Sequence, residues 1–189
     1  MTLKEMKIKT FSIIEEYYPD LKNLAEDEDV LNKINGVINQ IQLDLMKYRK
    51  IPAYIEISIN ANDEKTINLT DYIDNLYQVN KIKLNNYEMI DDNILILPDD
   101  YEGTFTVYYY KYPKQITFET VGDEFKFDLS TDVLEIMPYG VAGDLLKSDI
   151  SANYGREYSN RYEQLKQQLD PRYHTRSISF EGGDNYEFL

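Results

Sequence analysis

The hydrophobic period of this chain changes twice, and that change constrains the fold more than any other feature of the sequence. Over residues 30–48 apolar side chains recur every three or four positions, the spacing of one helical face. Over residues 55–59 isoleucine alternates with polar residues, as in a half-buried strand, and from Ser130 the helical period returns. The sequence therefore predicts an α+β protein with a β domain inserted between helices.

The predicted organisation has four parts. An N-terminal helix pair and a long C-terminal helix pack together, the insert is a small antiparallel β sandwich or barrel, and an extended tail follows. The boundaries are residues 1–50 for the helix pair, 51–129 for the β domain, 130–170 for the long helix and 171–189 for the tail.

Two helices are predicted before the β domain. Residues 2–5 fit a capping box, and apolar residues follow at helical spacing until Pro19 ends the first helix. The second helix follows the acidic run 26–29 and ends near the basic residues Lys47, Arg49 and Lys50, which matches the helix dipole at both ends. We interpret the acidic run as helix-start chemistry rather than as a metal site.

Short connections predict that most of the strands are antiparallel. The apolar side chains of residues 76–84 change from odd to even positions, which predicts a β-bulge near Asn80. The turn residues 98–103 predict a hairpin between their flanking strands. The strand candidates are residues 55–59, 66–69, 76–84, 94–97, 104–112, 115–118 and 125–127.

One long helix is predicted from Ser130 to residue 170. Its stripe includes Tyr154, Tyr158 and Tyr162, in steps of four residues. Each step exceeds a full turn by about 40°, so the stripe winds around the axis and needs more than one partner. Near its start Pro138 fits a first helical turn, and we expect the small residues at 140 and 143 to permit close helix packing.

Residues 171–189 show neither period, and we predict that they form an extended tail. Ordinary frayed tails are poor in large apolar side chains. This segment carries six, so we expect it to dock on another chain, with simple disorder as the alternative. The six are Tyr173, Ile178, Phe180, Tyr186, Phe188 and Leu189.

Charge and composition limit the classes of function. Twenty basic and 34 acidic residues give a net charge of −14, which opposes binding to nucleic-acid phosphates. The chain has no cysteine, so disulfides and thiolate chemistry are excluded. It has no secretory signal and no membrane-spanning run, so we expect it to stay in the cell that makes it and to avoid membranes. The 18 tyrosines fit either an interface or an A/T-rich genome.

No motif predicts catalysis, a cofactor or a metal site. The single histidine, His174, lies in the predicted tail, where it cannot form a histidine-based triad. The carboxylate pairs, such as Asp99 and Asp100, lie in turn-like segments where such residues mostly face water. Nucleotide-binding glycine motifs and EF-hand spacing do not occur. We therefore expect no catalytic, cofactor-binding or metal-binding residues.

Three segments, together with the arrangement of elements, carry a family resemblance. They are LPDDY at 97–101 leading into TVYYYKYP at 106–113, IMPYGVAGDLL at 136–146, and NRYEQL at 160–165. With two N-terminal helices, a β insert, a final helix and an apolar tail, the chain resembles the head-to-tail adaptor, or connector, proteins of tailed bacteriophages.

The resemblance implies a structural virion protein that is made in the host cytoplasm and located in the neck. Such adaptors form a ring, typically of twelve subunits, between the portal protein and a downstream tail or neck protein, and genomic DNA passes through the ring without specific binding. We expect that the chain can be monomeric alone and that it forms a closed ring on its partner, the portal. The predicted partner-contact residues are Pro138, Tyr139, Tyr154, Tyr158, Arg161, Tyr162, Arg172, Tyr173, His174, Arg176, Ile178, Phe180, Tyr186 and Phe188.

Other classes of function stay open. The chain is alternatively another virion or host protein-interaction module. A carbohydrate-binding β module is a further alternative, in which Tyr108, Tyr110 and Tyr112 stack on sugar rings. An enzyme would need a carboxylate dyad in the β domain, and hydrolysis lost on substitution of Asp99 or Asp100 would reveal it.

Overall fold

Helices flank an inserted pair of β sheets, as the changes of period predict. The computed structural model describes residues 1–17, 28–117, 122, 124–147 and 152–169. The α+β class is confirmed in these residues, with the β domain between the second and third helices. The elements are α1 (Leu3–Tyr17), α2 (Glu28–Leu45), β1 (Ile51–Ile59), β2 (Thr66–Asn68), a 3-10 turn (Leu69–Asp71), β3 (Leu76–Lys83), β4 (Glu88–Ile90), β5 (Ile94–Ile96), β6 (Gly103–Lys111), α3 (Thr131–Leu146) and α4 (Ala152–Gln168).

The described strands form two three-stranded antiparallel sheets. The first has the order β1-β6-β3 and the second β2-β5-β4. Phe105 and Ile57 of the first sheet and Leu95 of the second belong to one buried cluster, so the two sheets pack face to face. The domain is therefore an open sandwich rather than a closed barrel.

The bulge predicted near Asn80 is confirmed. Val79 pairs with Tyr109 and Lys81 pairs with Tyr108, which leaves Asn80 as an extra residue in β3. A second irregularity lies between Leu76 and Gln78. These extra residues explain the change of parity, because each one moves the following side chains to the other face.

The prediction of a hairpin across residues 98–103 is wrong. The strands on either side of this turn lie in different sheets, because β5 pairs with β2 and β4 whereas β6 pairs with β1 and β3. The turn therefore carries the chain from one layer of the sandwich to the other. The hairpin that does form joins β4, which the sequence analysis missed, to β5 through Asp91, whose φ is 53°.

The last two predicted strands, residues 115–118 and 125–127, do not form in the part of the chain that the structure describes. Asn39 of α2 accepts a hydrogen bond from the Ile116 amide at 2.8 Å and donates one to the Ile116 carbonyl at 2.9 Å. One side-chain amide thus makes, for Ile116, the two backbone hydrogen bonds that a neighbouring strand would make. Around residue 126 the described chain forms only a single bridge, between Lys126 and Thr2.

The N-terminal capping box is confirmed. The Thr2 amide donates to the Glu5 carboxylate at 2.8 Å, and the Glu5 amide donates to the Thr2 hydroxyl at 3.2 Å. This start places Leu3 and Met6 in the main helical core, where both are fully buried. In that core α3 is the central helix, because it packs against α1, α2 and α4.

The prediction of a single C-terminal helix is wrong, because the described residues form two helices. α3 ends at Leu146 and α4 begins at Ala152. The two pack antiparallel, since Gly140 lies against Tyr162 and Gly143 lies against Ser159. The expected role of these glycines in close helix packing is thus confirmed. Pro138 lies inside α3 rather than in its first turn.

We predict opposite effects on stability for two glycine-to-alanine substitutions. A Cβ at Gly143 would lie 2.6 Å from the Ser159 Oγ and 3.0 Å from the Ser159 amide nitrogen, so Gly143→Ala forces the α4 backbone away and costs about 1–3 kcal/mol. Gly36 of α2 is the control because a Cβ there meets nothing within 4 Å, and Gly36→Ala adds about 0.5–1 kcal/mol of stability. Urea unfolding of both variants measures these changes, and equal effects would contradict the close approach of α3 and α4.

Candidate functional site

Most of the predicted contact residues that the structure describes belong to the chain's own core. Tyr158 is 4% exposed and its hydroxyl donates to the Ile13 carbonyl at 3.0 Å. Tyr162 is 5% exposed, Pro138 is buried in α3, and Tyr139 packs half-buried against two core clusters. Tyr158 and Tyr162 of the winding stripe are thus covered by helices of the same chain.

The other predicted contacts are either exposed or outside the described residues. Tyr154 is 40% exposed, and Arg161 is also exposed. The candidates in the predicted tail lie outside the described residues, so their docking role stays a prediction. They are Arg172, Tyr173, His174, Arg176, Ile178, Phe180, Tyr186 and Phe188.

A polar cluster fastens α4 to α2. The Asp44 carboxylate of α2 accepts hydrogen bonds from the Tyr162 hydroxyl at 2.8 Å and from Lys166 Nζ at 2.9 Å. Lys166 also donates to Glu163 at 2.7 Å, and its Nζ lies 5.6 Å from the centre of the Tyr48 ring. Hydrogen bonds to ionised groups are stronger than neutral ones, so this cluster is a firm interhelical contact.

The pKa values in this cluster shift in the directions that keep Asp44 and Lys166 ionised and Tyr162 neutral. Partial burial raises the pKa of Asp44, but the hydrogen bonds from Lys166 and Tyr162 outweigh burial and hold that pKa below 3.8. Burial lowers the pKa of Lys166, but hydrogen bonds to Glu163 and Asp44 raise it above 10.5 overall. Burial, together with the bond to Asp44, raises the pKa of Tyr162 far above 10, so its hydroxyl stays a donor.

The cleft beside this cluster is lined by three carboxylates and two lysines. It has a volume of about 340 Å³ between α2, α3 and α4. Lys47 pairs with Asp44, and Lys147 pairs with Asp144. Each of these two pairs joins residues three apart, whereas the pair between Asp44 and Lys166 joins α2 to α4.

The carboxylate pairs of the β domain are exposed. Asp99 and Asp100 lie in the turn between the two sheets, and Asp91 and Asp92 lie in the turn between β4 and β5. Within the described ranges, no three histidine or acidic side chains come together as a group that could hold a metal ion. None of the helices in those ranges is both long and apolar enough to span a membrane.

The outer face of the first sheet carries a cluster of exposed tyrosine and lysine side chains. Register pairs Tyr54 with Tyr108, and Lys81 with Tyr108 on the other side, so these three residues share one face. Tyr54 is 67% exposed, and its ring centre lies 6.2 Å from that of Tyr108. We call this surface the tyrosine-lysine face, and it consists of Lys50, Tyr54, Lys81, Lys83, Tyr108 and Tyr110.

Lys50 is held in place on this face by two partners. Its Nζ lies 4.9 Å from the centre of the Tyr110 ring and donates a hydrogen bond to the Gln78 side chain at 2.7 Å. The outward side chains of the sheet include one acid, Glu56, so the face has an excess of positive charge in a chain whose net charge is −14. Tyrosine is enriched at protein interfaces whereas lysine is depleted there, so the exposed tyrosines are the interface-like part of this face and the lysines set its charge.

Sequence analysis found only part of this face. It singled out Tyr108 and Tyr110 together with Tyr112, which follows β6 and whose ring lies edge-on to Tyr77 at 5.2 Å. It missed Tyr54 and the lysines, which come from β1 and β3. Alternation within each strand gives the outward positions, but the register between the strands is needed to bring them together.

Comparison with known proteins adds no family to this description. No protein-family model matches the chain. No curated protein is significantly similar to it. The resemblance to head-to-tail adaptors therefore stays a prediction from the sequence.

We predict that removal of the Asp44 charge weakens the α2–α4 contact. Asp44→Asn lowers the free energy of unfolding by about 1–3 kcal/mol at neutral pH, because Lys166 and Tyr162 lose an ionised acceptor. Glu163→Gln is the matched control: it removes the other carboxylate bonded to Lys166, but Glu163 is exposed and only three residues away on the same helix, so the loss is about 0.5 kcal/mol or less.

The pH dependence follows from the lowered pKa of Asp44. A carboxyl group whose pKa is lower in the folded chain stabilises the fold above its ordinary value of 3.8 and loses that contribution as pH falls below it. The stability difference between wild type and Asp44→Asn should therefore shrink below pH 3.8 in denaturant unfolding. A difference that stays constant in acid would contradict an ionised Asp44 in the folded state.

Proposed function

We propose that this protein is a head-to-tail adaptor of a tailed bacteriophage, a structural subunit that forms a ring under the portal and gives DNA a passage to the tail. In this proposal the copies number about twelve, as the family resemblance implies, and the assembled protein is located in the virion neck. Its partners are the portal, its own copies and a downstream tail or neck protein.

The observation that carries the proposal is the architecture. A bundle of α1, α2, α3 and α4 is interrupted between α2 and α3 by a β sandwich. The bundle is held by its own core and by the Asp44 cluster, while the sandwich presents the tyrosine-lysine face outward. A self-contained subunit with a separate outward surface suits an assembly in which each copy touches several neighbours.

The net charge of the chain further supports the adaptor proposal. A net charge of −14 repels phosphates, and a passage for DNA should not adhere to what moves through it. Salt limits this repulsion to about 8–10 Å under physiological conditions, so it acts on DNA in the channel and not at a distance. The isolated protein is therefore expected to bind double-stranded DNA weakly.

Carbohydrate binding is the second candidate, favoured by the exposed Tyr54 and Tyr108. Aromatic rings on a sheet surface can stack on sugars, but these two rings are tilted by 40° to each other, and Lys50 lies over the ring of Tyr110. The arrangement thus offers no flat, open platform, and we rank this function below the adaptor. Glycan-array binding that Tyr54→Ser abolishes would reverse the ranking.

The adaptor proposal predicts that removal of residues 171–189 separates folding from attachment. The described bundle and sandwich hold their own cores, so truncation after Asp170 leaves the melting temperature unchanged. The same truncation should abolish co-sedimentation with the portal protein encoded in the same genome, because we assign the apolar tail to portal binding.

Single substitutions within the tail test the same proposal with smaller expected losses of binding. Phe180→Ala and Phe188→Ala should weaken co-sedimentation less than truncation does. If the truncated chain unfolds, the tail belongs to the subunit's own core. If full-length protein does not bind the portal, or if electron microscopy shows no ring on it, the adaptor proposal is overturned.

A further inference from the structure

The tyrosine-lysine face has the opposite charge to the rest of the chain. Lys81 and Lys83 project outward from β3 and are exposed, and Lys50 is fixed beside them by Gln78 and Tyr110. The face thus carries three positive side chains, whereas the whole chain has 14 more acidic than basic residues. Such a face attracts an acidic protein surface and repels other basic faces.

Acidic residues lie in the turn that joins the two sheets. Asp99, Asp100 and Glu102 all lie between β5 and β6. All three side chains are exposed. We call these three residues the acidic rim. The rim lies where the chain passes from one sheet to the other, whereas the tyrosine-lysine face is the outer surface of the first sheet, so face and rim are different surfaces.

We propose that the tyrosine-lysine face binds the acidic rim of a second copy of this chain. Face and rim are two different surfaces of one molecule, so the contact is head-to-tail rather than self-paired. A head-to-tail contact leaves one face and one rim free on every pair, and repetition closes a ring when the rotation permits. The inference rests on the proposed function in one respect, since it assigns this contact as the lateral contact of the adaptor ring.

The chemistry favours a second copy over DNA as the occupant. A DNA strand on this face would run past Glu56 and onto the acidic remainder of the molecule, which repels phosphate. A protein partner with a compact acidic patch meets the lysines without that penalty. The exposed ring of Tyr54 supplies apolar area at the centre of the contact, as interface tyrosines do.

A charge-swap experiment tests the contact without any portal. Lys81→Glu with Lys83→Glu makes the face acidic, and Asp99→Lys with Asp100→Lys makes the rim basic. Each double variant alone should lose self-association by about tenfold or more in low-salt sedimentation, because face and rim then carry the same sign. An equal mixture of the two should associate again, since each acidic face meets a basic rim and each basic face an acidic rim.

The quadruple variant and a tyrosine pair serve as controls. Lys81→Glu, Lys83→Glu, Asp99→Lys and Asp100→Lys in one chain restore complementarity between identical copies, so this variant should associate by itself. Tyr54→Ser should weaken association, whereas Tyr72→Ser, an exposed tyrosine outside the face, should not. Unchanged melting temperatures of all variants would exclude unfolding as the cause.

Carbodiimide cross-linking of a mixture of normal and ¹⁵N-labelled protein locates the contact directly. Links between lysine 81 or 83 of one copy and the rim carboxylates of another are expected. The inference is overturned if the wild type neither cross-links this way nor associates, if mixing fails to rescue the double variants, or if the face instead binds an oligonucleotide in a manner that Tyr54→Ser abolishes.

These outcomes are independent of the adaptor test. Self-association through the face without any portal binding would leave the inference standing and overturn the proposed function. Full portal binding and ring formation by both double variants would support the proposed function and overturn the inference.

Discussion

The contact between α3 and α4 is the constraint on which the rest of the molecule depends. Gly143 allows the two helix backbones to approach at Ser159, and Gly155 lies against the backbone of Leu146 in the same way. Because α3 is the central helix, this contact determines which side chains α4 contributes to the core. It turns Tyr158 and Tyr162 inward and removes them from the surface.

Two polar side chains of α2 organise the parts around this helix pair. Asp44 binds the hydroxyl of Tyr162 and the ammonium of Lys166, so α4 is fixed by charge as well as by packing. Asn39 takes both backbone hydrogen bonds of Ile116, so the segment leaving the β domain needs no neighbouring strand. A buried polar group is costly unless it is paired, and pairing is what makes these two contacts specific.

With Tyr158 and Tyr162 buried, the sandwich offers the more distinctive exposed surface among the described residues. The tyrosine-lysine face gathers side chains from β1, β3 and β6, and its charge opposes that of the whole chain. Charge of opposite sign on two different surfaces of one module favours repeated head-to-tail contacts over a closed pair. The inferred lateral contact rests on that asymmetry.

The sequence by itself determined the α+β class, the capping box at Thr2 and the bulge at Asn80, because each depends on neighbours within a few residues. Only the tertiary structure decided that the residues after Ser130 form two helices, that β5 and β6 belong to different sheets, and that Tyr54 joins Tyr108 on one face. Helical periodicity continues across a reversal, and turn residues do not specify which sheet the next strand enters. Those outcomes depend on contacts between distant residues, whose energies no local pattern contains.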